Sequence, residues 1–292
     1  MDLLTQLGAS PLLQFTTAVV FGLVLGSFLN VVIHRLPRRM EAEWRAQCAE
    51  LMEVADDSPE TGATGIVWPP SACPHCESKL RAIDNIPVLS YLWLGGRCRN
   101  CRHPISPRYP IIETITAALF ALVVWQIGWQ PAALAAVVFT AILIALTAID
   151  LEHMLLPDDL TLALLWLGLL VAVSGLGPSP SDAVIGAAAG YLSLWGVYQV
   201  FRLATGKEGM GYGDFKLLAA LGAWLGWQYL PVVILLSAGV GAVVGVTMIA
   251  LLGHERGQAI PFGPYLAAAG WIALLWGDAI ITGYLQLAGI QG

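Results

Sequence analysis

The sequence has 292 residues, of which 57% are hydrophobic and only 12% are charged, with a formal net charge of −6 at pH 7. Soluble domains are about 25% charged, so this composition argues against a soluble globular protein and predicts a chain embedded in a membrane. The 31 glycines fit that interpretation, because small residues let transmembrane helices approach one another closely.

Eight apolar segments approach the length of about 20 residues that a helix needs to cross the hydrocarbon core of a bilayer. In chain order they are Pro11–Ile33, Tyr109–Ile127, Pro131–Ile149, Leu160–Leu176, Ala183–Phe201, Phe215–Leu230, Pro231–Leu252 and Ile260–Leu287. The first is interpreted as a retained span, since no Lys or Arg precedes it and a secretory signal peptide begins with a basic segment. The sixth abuts the seventh, and a merger of the two would reduce the count to seven. We predict an all-α polytopic membrane protein with about eight transmembrane helices and a small cytoplasmic zinc-binding insert.

The basic residues predict how these spans are oriented. All 14 Lys and Arg residues fall in or beside the loops after spans 1, 5 and 7, and the last of them is Arg256. Positive charge marks the cytoplasmic side of a membrane, so we expect both termini on the opposite side. A seven-span arrangement would break this pattern, which favours eight. Because topology explains the basic residues, they give no reason to expect nucleic-acid binding.

A single long polar stretch divides the chain into three parts. We predict a first transmembrane helix over residues 1–37, a cytoplasmic insert over 38–108 and a transmembrane core over 109–292. The first part of the insert, residues 41–60, is acidic and is predicted to be an exposed helix or a mobile segment.

The second part of the insert contains two Cys-x-x-Cys pairs, Cys73 with Cys76 and Cys98 with Cys101, separated by 21 residues. This spacing is typical of a tetrahedral structural zinc site, in which four thiolates leave no position for a catalytic water. Two disulfides or four free thiols are the alternatives, and disulfides are disfavoured in a reducing cytoplasmic loop. Cys48 lies outside the pattern and is interpreted as an ordinary thiol.

Two aspartates at the ends of spans are candidate catalytic groups, because ionisable residues at membrane depth are costly and usually functional. Asp150 ends span 3, and Asp214 begins span 6 after Gly211 and Gly213. Span 3 is predicted to run towards the cytoplasm and span 6 away from it, so both carboxyls lie at one level. Two such carboxyls can share a proton and hydrolyse a peptide bond, one acting as base towards water and the other as acid.

Simpler roles are also available to these acids. Asp214 can cap its helix, Asp150 can be an interfacial polar residue or a member of an ion pair, and Asp158 and Asp159 are interpreted as caps of span 4. Glu113, near the start of span 2, is interpreted as the partner of an arginine. At the level of function, a transporter or proton channel would use the aspartate pair as a proton relay. A non-catalytic assembly factor would use the zinc insert to dock a partner.

The combination of motifs resembles that of the type IV prepilin leader peptidases, a family of GxGD-type membrane aspartyl proteases. The similarity covers nearly the whole chain. The matching segments are residues 26–37, the two cysteine pairs, residues 104–110, Asp150 with Leu156-Pro157-Asp158, Gly211-Tyr212-Gly213-Asp214, and Pro261-Phe262-Gly263-Pro264.

The resemblance implies that Asp150 and Asp214 are the catalytic pair of an aspartic endopeptidase in the bacterial inner membrane. The implied substrates are precursors of type IV pilins and type II secretion pseudopilins, whose short basic leader is removed at the cytoplasmic face. Many members also N-methylate the new N-terminus with S-adenosylmethionine, an activity linked to the insert. The insert contains no Gly-rich nucleotide fingerprint, so we predict no residue of a cofactor site. A related intramembrane aspartyl protease with another substrate is the remaining alternative of the same class.

Overall fold

The computed structural model describes residues 10–52, 65–66, 70–252 and 260–289, and within them the regular structure is helical. The helices are α1 (Pro11–Met52), α2 (Leu89–Trp93), α3 (Arg108–Ile127), α4 (Pro131–His153), α5 (Asp158–Val173), α6 (Pro180–Thr205), α7 (Tyr212–Leu225), α8 (Leu230–Leu252) and α9 (Gly263–Leu287). The predicted all-α class is confirmed. Arg256 lies outside the described residues.

Eight of these helices correspond to the eight predicted spans, and the short α2 lies in the insert. Six of the eight are long and apolar enough to cross a membrane by length and composition, whereas α5 and α7 have only 16 and 14 residues. Helices α7 and α8 do not merge, because Gly226 adopts a φ of 87° and a 3-10 turn follows at Trp227–Tyr229. The chain is therefore a multi-pass membrane protein.

Helix α1 is much longer than the first predicted span. It continues for 42 residues, through Pro37, to Met52. An interior proline removes one backbone donor and normally kinks or ends a helix, but α1 continues past it. Beyond it, Arg39 donates to Glu43 at 2.7 Å, an i,i+4 pair that supports an exposed helix.

The chain forms two compact units, Met1–Trp125 and Gln126–Gly292. In the first unit, α1 and α3 approach to backbone contact. A Cβ on Gly22 would lie 2.6 Å from the Cα of Ala117, and a Cβ on Gly26 would lie 2.7 Å from the Cα of Glu113. Small residues four apart are therefore needed on α1, as in other closely packed transmembrane helices.

In the second unit, α7 is the central helix. Every residue from Leu217 to Leu225 is buried, and the helix packs against α5, α6 and α9. The indole of Trp224 donates to the carbonyl of Leu164 in α5 at 2.7 Å, so this buried N–H is satisfied. Towards α6 the contact is backbone on backbone, since a Cβ on Gly186 would overlap the carbonyl of Gly222.

We expect Gly186→Ala to lower the free energy of unfolding by about 1–3 kcal/mol, the usual cost of overpacking a tight contact. Gly196→Ala is the matched control, because Gly196 lies on the same helix and a Cβ there would meet nothing within 4 Å. The control should be neutral or slightly stabilising, since Ala is the better helix former. Thermal unfolding of both variants in detergent compares them, and equal midpoints would contradict the contact.

Candidate active site

Asp150 lies near the carboxyl end of α4 and is almost fully buried, with 5% of its surface exposed. Its Oδ2 accepts a hydrogen bond of 3.0 Å from the backbone N–H of Gly263, the first residue of α9. The ion pairs formed by the described residues do not include Asp150, so its interpretation as an ion-pair residue is wrong. A buried carboxyl held by one N–H keeps most of its acceptor sites for other groups.

Asp214 is the third residue of α7 and is also buried, with 8% exposed. The N-cap position of α7 is Gly211, which has no side chain to cap the helix. The Asp214 carboxyl instead accepts a hydrogen bond from the Gly211 backbone, as an acid at the third position of a capping box does. It also lies close enough to Asp150 for the two charges to repel each other. Topology thus brings together two acids that are far apart in the sequence.

Leu156 packs between the segments that carry the two aspartates. A Cβ on Gly213 would lie 2.7 Å from the Cβ of Leu156, and a Cβ on Gly263 would lie 3.0 Å from its Cδ2. Glycine is required at both positions because the same buried leucine fills the space beside them. Sequence reasoning noted the Leu156-Pro157-Asp158 motif, but it did not identify this packing role.

Asp158 was interpreted as a helix cap, and that interpretation is wrong. The N-cap of α5 is Pro157, and both carboxylate oxygens of Asp158 accept from Lys216 Nζ at 2.6 Å. This ion pair joins the start of α5 to the start of α7, where Lys216 lies two residues after Asp214. The only sequence signal for the pair was this lysine close to an aspartate. Asp159 is exposed in the first turn of α5.

Replacing Gly263 by alanine should reduce peptide cleavage by about 10²-fold, because the new Cβ would lie 2.6 Å from Asp150 Oδ2. Displacing a catalytic group by about 1 Å can cost that much. Gly239→Ala is the control, since a Cβ at Gly239 would meet nothing within 4 Å. The initial rate of cleavage of a precursor peptide measures both, and an unaffected Gly263→Ala enzyme would show that this N–H does not position Asp150.

The four insert cysteines form a compact cluster in the first unit. Their Sγ atoms all lie within 4.8 Å of one another, and all four are free thiols rather than disulfides. The Sγ atoms of Cys73 and Cys101 are 3.8 Å apart. Four thiolates at about 2.3 Å from a tetrahedral zinc ion would be separated by about 3.8 Å, so the donor set fits such an ion. Cys48 is exposed and lies outside the cluster.

The two cysteine pairs lie on two separate tight turns of the same type. The N–H of Cys73 donates to Ser78 O at 3.0 Å, and the N–H of Cys98 donates to His103 O at 2.8 Å. A hydrogen bond from the Ser78 side chain lowers the pKa of Cys76 to about 6. Backbone hydrogen bonds from Cys101 and Asn100 lower the pKa of Cys98. At Cys101 a backbone hydrogen bond with His103 lowers the pKa, but burial and the neighbouring thiols outweigh it and raise the pKa to about 11. The turns therefore favour the thiolate, the form that binds metal, at Cys76 and Cys98.

Glu113 does not pair with an arginine, contrary to the expectation from sequence. It is buried in α3, and its Oε2 accepts a hydrogen bond of 2.8 Å from the N–H of Val88. The ion pairs formed by the described part of the chain give it no cationic partner. Burial of a carboxylate without a cation is unusual and calls for a chemical reason.

Comparison with known proteins gives consistent results along the whole chain. The family model described as the bacterial peptidase A24 N-terminal domain matches residues 20–127, and that of the type IV leader peptidase family matches residues 137–246. The first match ends two residues beyond the first unit, and the second match lies within the second unit. No solved structure matches the chain.

Several curated proteins named prepilin leader peptidase/N-methyltransferase are similar over nearly their full length. That of Aeromonas hydrophila is 56% identical over 94% of this chain and 95% of its own. That of Pseudomonas aeruginosa is 52% identical over 100% of both, and that of Legionella pneumophila is 44% identical over 94% and 96%. The resemblance and the enzyme class inferred from the motifs are both confirmed. By its motifs, its helices and these relatives, the chain belongs to the type IV leader peptidase family.

Proposed function

We propose that this protein removes the leader peptide from type IV prepilins and type II secretion pseudopilins by aspartyl-protease chemistry at the cytoplasmic face of the inner membrane. The observation that carries the proposal is the pair of buried, interacting carboxyls, Asp150 and Asp214. Neither is neutralised by a cation among the described residues. A proton relay would need the same pair, but the family relationship favours hydrolysis.

The chemistry requires one proton shared by the two carboxyls. The ionised carboxylate takes a proton from a water molecule, whose oxygen attacks the carbonyl carbon of the scissile peptide. The protonated carboxyl gives its proton to the carbonyl oxygen, and a tetrahedral intermediate forms. When this intermediate collapses, the carboxyl that took the proton from water gives it to the amine nitrogen and the C–N bond breaks. The other carboxylate accepts a hydroxyl proton of the intermediate, so that the pair again holds one proton. Roles cannot be divided between the aspartates, because an interacting pair titrates as a unit.

Three features of the chain support the placement of this chemistry. Gly263 fixes Asp150 through its N–H, Leu156 packs beside both aspartate-bearing segments, and Lys216 ties α7 to α5. All three lie in what we propose is the protease core, residues 109–292. Both termini are proposed to be periplasmic, which places the ends of α4 and α7 that carry the aspartates at the cytoplasmic side.

The cysteine cluster is proposed to hold one structural zinc ion in a cytoplasmic insert of residues 38–108, with Cys73, Cys76, Cys98 and Cys101 as ligands. A segment this small has little apolar core of its own, so a metal would supply much of its folding free energy. Four sulfur ligands fill the coordination sphere and leave the ion no catalytic position.

We further propose that the protein N-methylates the new N-terminus, as the names of its relatives state for them. S-adenosylmethionine, when bound, supplies an electrophilic methyl group for transfer to the free amine. The residues of the chain must then hold a cationic, amino-acid-bearing cofactor close to that amine.

Mass spectrometry of a purified prepilin, after incubation with the detergent-solubilised protein and S-adenosylmethionine, tests both activities. Loss of the leader is the expected result for the peptidase, and an added mass of one methyl group is expected for the methyltransferase. An intact, zinc-loaded protein that leaves the precursor uncut would contradict the proposed substrate class.

A further inference from the structure

A cavity of about 590 Å³ lies within the first unit, between α1, the cysteine turns and the start of α3. Its size is typical of sites for small organic ligands, which occupy about 300–1,000 Å³. Its lining carries both signs of charge, since Lys79 and Arg81 are exposed, whereas Glu113 is buried, as is Asn30. Asp84 also lines the cavity, but it already pairs with Arg99 at 2.5 Å.

Asn30 is the first sign that this cavity has a ligand. The residue is 2% exposed, and its amide N–H groups donate to the carbonyls of Gly26 at 3.3 Å and Tyr109 at 3.1 Å. These bonds fix the side chain and identify its free end as the oxygen. That oxygen, Oδ1, is buried and has no hydrogen-bond partner. A buried acceptor without a donor costs free energy, so a donor is expected to arrive with a ligand.

Glu113 is the second sign, and it lies beside Asn30. Gly26 contacts both residues, since its carbonyl accepts from Asn30 and its Cβ position is 2.7 Å from the Cα of Glu113. The Glu113 carboxylate accepts a hydrogen bond of 2.8 Å from the N–H of Val88. A carboxylate has about four acceptor sites, so further sites remain for a ligand donor. No protein cation pairs with this charge among the described residues.

Val88, which donates its N–H to the Glu113 carboxylate, has a strained backbone conformation. Val88 adopts a φ of 58°, which β-branched residues rarely tolerate, and its N–H points at Glu113 Oε2. Strained backbone persists where surrounding structure requires it, and it is concentrated at binding sites. The strain here aligns a donor with the carboxylate but adds no positive charge.

We propose that the buried end of this cavity binds the α-ammonium group of S-adenosylmethionine, with the Glu113 carboxylate and Asn30 Oδ1 as its acceptors. An ammonium group supplies an N–H donor for Asn30 Oδ1. It also supplies a positive charge to pair with the Glu113 carboxylate. The exposed Lys79 and Arg81 suit the carboxylate of the same amino-acid moiety. The inference rests on the proposed methyltransferase function and assigns residues of the first unit to that function.

Equilibrium dialysis of the full-length protein in detergent, with radiolabelled S-adenosylmethionine, tests this assignment. Glu113→Gln keeps the shape and an acceptor for the Val88 N–H but removes the charge. We expect it to raise the Kd by about tenfold or more, the effect of losing a charge-assisted hydrogen bond. Glu113→Asp should bind more tightly than Glu113→Gln, because the charge returns. Methylthioadenosine, which lacks the amino-acid moiety, should bind the wild type and Glu113→Gln equally.

Zinc content and leader cleavage should be unchanged in Glu113→Gln, which separates lost binding from lost folding. Equal affinity of the wild type and Glu113→Gln for S-adenosylmethionine would overturn the assignment. If that variant instead raised only the KM for an already cleaved pilin, the ammonium bound at Glu113 would be that of the pilin N-terminus, and the assigned occupant would be wrong. A wild type that binds no S-adenosylmethionine would instead refute the proposed methyltransferase function itself.

Discussion

Asp150→Asn and Asp214→Asn should each reduce leader cleavage by about 10³-fold or more, the scale of losing general acid–base catalysis. An amide cannot accept the proton of water or return one to the carbonyl oxygen, so either change disables the pair. The two effects should not add, because the carboxyls act as one unit. Cleavage of a purified prepilin, followed over time by mass spectrometry, measures the loss.

Asp159→Asn provides the matched control for this prediction. Asp159 lies in the same part of the chain but is exposed, and we assign it no role in the chemistry. Its variant should cleave at the wild-type rate. Both catalytic variants should still methylate a pilin that has already been cleaved, because Glu113 and Asn30 lie in the other unit. Substantial cleavage by either Asn variant would remove that aspartate from the catalytic pair.

Cys98→Ser should abolish zinc binding, taking the metal content from about one ion per chain to near zero, because a hydroxyl is a poor replacement for a thiolate ligand. Much of the folding free energy of the insert should be lost with the ion. Cys73 and Cys98 also line the cavity next to Glu113, so S-adenosylmethionine binding should fall as well. Elemental analysis and limited proteolysis of the insert report the two losses.

Cys48→Ser is the control for the metal centre, since Cys48 is exposed and lies outside the cluster. It should retain full zinc content and normal resistance to proteolysis. A strong chelator should reproduce the effect of Cys98→Ser on the wild-type protein. If Cys98→Ser retained its metal, the four-sulfur assignment would be wrong.

Much of this protein could be predicted from its sequence because apolar length and charge placement carry direct physical information. The eight spans were located to within a few residues, except that α1 continues through Pro37 to Met52. Proline penalises a helix interior but does not forbid it, so the end of the predicted apolar span did not mark the end of its helix. The cysteine cluster was predicted for a similar reason, since metal geometry dictates ligand spacing.

The contacts around the site could not be predicted, because they join residues distant in sequence. Nothing local to Asp150 indicates that its partner is the N–H of Gly263. Asp158 begins a helix and is a residue type common at helix caps, yet its partner is Lys216. Likewise, Glu113 follows a basic run, but the fold gives it Val88 and leaves its charge for a ligand.

The 16 residues of α5 have a consequence for the surrounding lipid. A helix of that length extends about 24 Å, several ångströms less than a hydrocarbon core of about 30 Å. Trp166, Leu170 and Val173 are exposed on this helix, so we expect its short apolar face to contact acyl chains. Such hydrophobic mismatch is relieved when the bilayer thins locally. We therefore expect headgroups and water to be drawn towards the Pro157 end of α5, which adjoins Leu156 and the two aspartates, and we expect membranes with longer acyl chains to oppose that hydration.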